Sequence, residues 1–467
     1  MLSSRKYQPK VRPTVLGGLL MKSRAINTMF IPSSELHSVQ KEMAKFFGAA
    51  IAISSLILFI GTVGILGMGR DHFMNSSKSV DYRDYITGVV IFGDSTVDVG
   101  NNNYLLTVVK SNFEPYGTKF EGGGAAGRFC DGQIAIDFIT RKIGYPLPLP
   151  YLAPNAHGKA ILTGINFASS ASGWYDKTAE AFNVKGLTEQ LLWYKNWKNE
   201  VVSLAGQEEG NHIISNALYV FSTGSNDWIN NYYLSDDLME QYTPETYTTF
   251  LISLARYHIQ ELYDLGGRNI AVLGLPPLGC LPSQITLNGK GNPGCVEDFN
   301  IVAKDFNDQL RALVAELKQT FRKGRVGYLD TYTILDKIVH NPESYGISET
   351  RIGCCGIGTI ETAILCNKAS VGTCPDAFPY VWWDSFHPTD HVYSLIAVDL
   401  FNQALPVFDA LNTAIVSQLC CKRSRIMWSE HSQSHIRSPT HTMNGVVTIP
   451  RRQEFRGASQ DDAYMTS

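Results

Sequence analysis

From about Asp84 onward, short apolar runs alternate with longer amphipathic segments, and that alternation restricts the chain to few architectures. The runs are ITGVVIF (86–92), ALYVFSTG (217–224), NIAVLGLPP (269–277) and RVGYLDTY (325–332). Each is strand-length, rich in β-branched or aromatic residues, and ends in turn-forming residues, the pattern of a buried strand. Between them, residues 132–144 place Ile134, Phe138 and Ile139 at helical spacing and stop at Gly144. Residues 243–267 read as a helix opened by a Thr243/Glu245 capping pair and closed by Gly266–Gly267. A third helix is expected over 295–321. Strand–helix alternation of this kind predicts an α/β fold with a mostly parallel sheet covered on both faces. No repeat period is evident.

The 467 residues are 44% hydrophobic and 18% charged, a globular composition with ample core. The net charge of −3 hides an asymmetry, because residues 1–45 carry eight basic and two acidic groups. Residues 406–467 carry seven and five, which leaves the middle of the chain eleven charges acidic. Such a surface argues against nucleic-acid partners. The 1–45 extension and the polar 410–467 segment read as disordered tails. Phe46 to Gly69 holds no charge and lies between Lys45 and Arg70. It is long enough to span a bilayer, so it reads as a signal peptide, with Met43 as an alternative start, or as an uncleaved signal anchor. Either reading sends the rest into the secretory pathway, to be secreted or, with residues 46–69 retained, membrane-anchored. Six of the nine cysteines fall at 280, 295, 354, 355, 366 and 374. Adjacent cysteines with no histidine at finger spacing suit zinc poorly, whereas disulfides stapling loops fit an oxidising compartment. Asn75, in Asn-Ser-Ser, is the one glycosylation sequon.

In an open parallel sheet, sites form beyond the carboxyl ends of the strands. There, VVIFGDS places Ser95 and STGSND places Asn226, and YVWWDSFHPTDH adds Asp384 and His387 three residues apart. A serine hydroxyl needs a base within hydrogen-bond reach, which histidine supplies near neutral pH. A carboxylate on the second imidazole nitrogen fixes the tautomer, and an oxyanion needs preorganised N–H donors. Plainer roles suit the neighbours. Asp94, Asp98 and Asn101–Asn103 read as turn and cap residues, Arg128 as half of an ion pair, and His340 and His391 as bystanders. Trp382 and Trp383 read as core and pocket wall. No P-loop, dinucleotide fingerprint, metal motif or Gly-x-Ser-x-Gly elbow occurs, so no cofactor or metal is expected.

Four ordered blocks carry a resemblance. FGDSTVDVGNNNYL, GINFASSASGWYD, STGSNDW and WWDSFHPTDH resemble the conserved blocks of plant-type GDSL esterase/lipases of the SGNH hydrolase superfamily. GRFCDGQ, LGLPPLGCLP and CCGIGTIETAILCN extend it over roughly residues 85–408, within an expected hydrolase domain at 80–408. The resemblance implies a three-layer α/β/α, flavodoxin-like SGNH fold. It implies Ser95 as nucleophile, Asp384 and His387 as its partners, and Ser95, Gly173 and Asn226 as the oxyanion hole. The implied substrate is a small acyl ester or a lipid, cleaved through an acyl-serine intermediate. An acyltransferase using the same intermediate, or a non-catalytic binding protein on the same scaffold, are the alternatives. Two departures stand out: Cys130–Asp131 where Ser-Asn is usual, which predicts a free thiol, and Ser170–Ala171 where further glycines often occur.

Overall fold

The computed structural model describes residues 81–408. The expectations for residues 1–45, the 46–69 segment, Met43, Asn75 and the 410–467 tail lie outside them. Seven strands and six of the helices organise the described chain around the site: β1 (Val89–Gly93), α1 (Ala135–Ile143), β2 (Gly164–Asn166), α2 (Leu187–Ala205), β3 (Leu218–Ser222), α3 (Pro244–Asp264), β4 (Asn269–Leu273), α4 (Glu297–Thr320), β5 (Arg325–Leu329), α5 (Thr331–His340), β6 (Glu349–Gly353), β7 (Tyr380–Trp382) and α6 (Asp390–Phe408).

β1 is Val-Val-Ile-Phe-Gly and is buried throughout. A strand without a polar face can only sit centrally in a sheet covered on both sides, and it does. The main sheet runs β2-β1-β3-β4-β5, with every pairing parallel. This is the doubly wound order that reverses direction at β1, so the carboxyl ends of β1 and β3 open onto one crevice. α1 and α6 pack together on one face, and α2, α3 and α4 cover the other. The α2 face is aromatic: Phe92 stacks on Phe167 and Phe221 at ring-centroid distances of 5.3 and 5.0 Å, with Tyr194 edge-on.

Three strands escape the sequence reading. β2 has three residues, too few for a period, and β6 and β7 pair as a separate two-stranded sheet flanking the last site block. The cap of α3 also differs from expectation. Thr243 Oγ accepts the N–H of Thr246 at 3.3 Å, but the third position holds Thr246, so Glu245 completes no capping box. Three disulfides, Cys280–Cys295, Cys354–Cys374 and Cys355–Cys366, close the expected loops. Among the described residues no helix is long and apolar enough to cross a membrane.

Candidate active site

Ser95 stands two residues beyond β1. The turn that presents it begins at Gly93, whose φ of +143° and proximity to β3 exclude a side chain: a Cβ there would lie 2.0 Å from the Ser222 carbonyl oxygen. Asp94 donates its N–H to Ser222 O at 3.0 Å. Its Oδ1 accepts the Thr96 N–H and hydroxyl at 2.9 and 2.8 Å. Burial is the main reason its carboxyl is pushed up to about 6.

The final block comes from β7. Past Trp382 the chain turns around Asp384, whose Oδ1 accepts the N–H groups of Phe386 and His387 at 2.9 and 2.8 Å. This turn brings the His387 ring back onto the same carboxylate, with Nδ1 2.8 and 2.9 Å from its two oxygens. The other ring nitrogen, Nε2, lies 2.8 Å from Ser95 Oγ. Ser95, His387 and Asp384, buried and spread over 292 residues, therefore form one hydrogen-bonded chain.

Two further groups hold Asp384, and neither was singled out from sequence. Tyr116 donates its hydroxyl to Oδ2 at 2.8 Å, and Thr362 does so at 3.0 Å. Burial, then the Asp384 charge, raises the Tyr116 phenol well above its ordinary range, so it remains a donor. Nothing local marks either residue. Tyr116 sits 268 positions from its partner, and Thr362 lies inside the Cys355–Cys366 loop.

The acidic and amide cluster after Ser95 does more than cap a turn. Asp98 Oδ1 accepts the N–H groups of Gly100 and Asn101, both at 2.8 Å. Its Oδ2 accepts the N–H and hydroxyl of Ser170 at 3.0 and 2.8 Å. Asn101 donates to the carbonyls of Asn166 and Ala168, and Asn102 to that of Ser170. The first block thus clamps the second in place beside Ser95.

Asn226 lines the same cavity as Ser95 and is held at both ends: its Nδ2 donates to Ser172 O at 2.9 Å and its Oδ1 accepts from Asn230 at 2.7 Å. One amide proton is left for a ligand. Gly173 stands elsewhere. It does not line the cavity, and a Cβ on it would meet Asp227 Oδ1 at 2.1 Å. Its glycine character is accounted for by Asp227, whose carboxylate binds the N–H groups of Trp174 and Tyr175. The cavity-lining residue of this segment is Ala171, in a left-handed conformation at φ 69°. Among the described residues the N–H groups of Ser95 and Ala171 have no hydrogen-bond partner.

The remaining candidates have structural partners. Arg128 forms a buried two-point ion pair with Asp137, both bonds 2.7 Å. His391 Nε2 is 2.8 Å from Tyr345 O, and His340 Nδ1 is 2.8 Å from Asp336 O. Trp382 lines the cavity and Trp383 packs against Tyr116. Cys130 is free and buried, and burial raises its thiol well above the usual value, which suppresses the thiolate. Among the described residues no group of three or more His, Cys, Asp or Glu is placed to hold a metal.

The doubly wound sheet thus carries a buried serine, imidazole and carboxylate joined by hydrogen bonds beside its carboxyl edge, the geometry that nucleophilic serine chemistry requires. The profile of the GDSL-like lipase/acylhydrolase family matches residues 89–400. The chain belongs to that family. It is similar to Arabidopsis thaliana GDSL esterase/lipase At5g03810, 43% identical over 69% of this chain and 92% of the relative. Arabidopsis thaliana GDSL esterase/lipase APG is 40% identical over 70% of this chain and 94% of its own length. Among solved structures, a phospholipase A1 from Streptomyces albidoflavus NA297 aligns with 70% of this chain and 99% of its own, at 13% identity and a TM-score of 0.27.

Proposed function

We propose that this chain hydrolyses carboxylic esters through an acyl-serine intermediate, with Ser95 as nucleophile, His387 as general base and then acid, and Asp384 holding the imidazole. The observation that carries this reading is the continuous hydrogen-bonded chain from Ser95 Oγ through His387 to Asp384. In the first half-reaction the Oγ–carbonyl bond forms while His387 Nε2 takes the serine proton. The carbon–oxygen bond to the alcohol then breaks, and the same proton leaves on the alcohol. Water repeats the sequence on the acyl-enzyme and releases the acid. The oxyanion is received by the N–H groups of Ser95 and Ala171 and by the free amide proton of Asn226. Ala171 is preferred here to the sequence candidate Gly173 because it lines the cavity and Gly173 does not. The mechanism asks for no metal or cofactor. Three disulfides support a working place in the secretory pathway.

The test is hydrolysis of nitrophenyl butyrate by the full chain and by Ser95→Ala. The variant should lose about 10⁴-fold or more in kcat and fail to label with a fluorophosphonate. A folded variant with undiminished turnover would exclude Ser95 as the nucleophile.

A further inference from the structure

The cavity at Ser95 measures about 440 Å³ and leads in two directions. Toward solvent it is bounded by Val108, Val109, Phe182, Ile364 and Leu365, on loops above the serine. Inward it passes between the sheet and the α1–α6 layer, where a second cavity of about 330 Å³ begins. The two have four walls in common: Val97, Ala135, Leu273 and Leu400. Both spaces also reach solvent, and they adjoin along one face of the sheet through these shared walls.

Strand periodicity gives the direction of the pair. On β3, Ser222 faces the first cavity, and Val220 and Leu218 face the second. Along β4 and just past it, Leu275, Leu273 and Ala271 follow in the same way. These are same-face positions at a spacing of two, so the space runs lengthwise under the sheet. From Ser222 to Leu218 it covers roughly 13 Å at about 3.3 Å per residue. The inner cavity has no charged side chain in its lining. The only ionisable groups lining the outer one are Asp94, His387 and Tyr393.

We propose that the two cavities form a single acyl channel, and that the preferred substrates are esters of long, unbranched fatty acids. The inference rests on the ester-hydrolase reading above. It places the acyl chain inward past Ala135 and Leu273, and the alcohol outward toward the loops. Each methylene taken out of water strengthens binding roughly four-fold, so preference should climb with chain length until the inner cavity is filled. Ala135 at the waist and Ile139 farther in set how much chain is admitted.

The test is the profile of kcat/KM over nitrophenyl esters from butyrate to stearate, in dilute detergent, for the full chain with its disulfides formed. Wild type should favour palmitate over butyrate at least ten-fold. Ala135→Phe should lower the palmitate-to-butyrate ratio at least ten-fold, and Ile139→Trp should lower it for the longest chains only. A wild-type optimum at butyrate overturns the channel without needing a variant, as does a folded Ala135→Phe whose ratio is unchanged. Loss of the proposed function itself would look different, because Ser95→Ala would then retain turnover at every chain length.

Discussion

The carboxylate of Asp384 collects five donors: the N–H groups of Phe386 and His387, His387 Nδ1, and the hydroxyls of Tyr116 and Thr362. A carboxylate so saturated stays in place and gives the imidazole one orientation. Tyr116→Phe removes one donor while keeping the ring that packs on Phe129 and Trp383. A hydrogen bond to a charged group is worth about 1.5–3 kcal/mol, so kcat/KM on a short ester should fall about ten-fold or more. Because the carboxylate becomes a stronger acceptor, the acid limb of the pH–rate profile should also move to higher pH. A merely structural loss would scale the rate and leave the limb where it was. Asp227 offers a stability test. Burial, against three donors, raises its carboxyl from 3.8 to about 7. The folded state therefore holds a proton that the unfolded chain has lost, and this group's stabilisation declines as pH rises from about 4 to 7. Asp227→Asn, permanently neutral, should gain Tm relative to wild type across that window, and a constant difference between the two melting curves would refute the assignment. Sequence reading reached Ser95, Asp384 and His387 because each sits in a local turn with its own chemistry. It passed over Tyr116 and Thr362, whose importance exists only through a partner brought from elsewhere in the chain. At the second block the family resemblance pointed to Gly173, against which the structure packs Asp227, while Ala171 lines the cavity there.

At the scale of elements, β1, β3, β4, β5, α1, α3 and α4 were read from their periods or end signals, whereas α2, 19 residues long, was passed over. β2 is too short, and β6 and β7 depend on each other. Between β6 and β7 runs the loop that carries Thr362 and Glu361. Glu361 accepts the N–H groups of Ile357, Thr359 and Ile360, and its carbonyl receives the Ser385 N–H. The Cys355–Cys366 bridge closes this loop over 11 residues. Replacing both cysteines by serine should cost about 3 kcal/mol of stability on a loop-entropy basis. It should also lower kcat more than KM changes, because the loosened loop withdraws a donor from Asp384. Calorimetry beside steady-state kinetics checks both, and unaltered kcat in the double variant would show that Thr362 holds its place without the bridge.

On the scale of the molecule, the sheet order explains why so dispersed a sequence makes so compact a site. β1 lies between β2 and β3, so the turn after β1 meets the segments leaving both neighbours. The first block clamps the second, and the third holds the second through Asn226 and Ser172. The fourth arrives last, 292 residues after the serine it serves. That ordering governs when the protein can act at all. A nascent chain that has emerged only as far as β6 contains Ser95 but not His387, the base of the proposed mechanism. A chain ending at residue 380 should accordingly give no fluorophosphonate label, whereas the finished chain should label readily. Within the described residues, the parts of the proposed site are therefore all present only once the segment after β7 has been made.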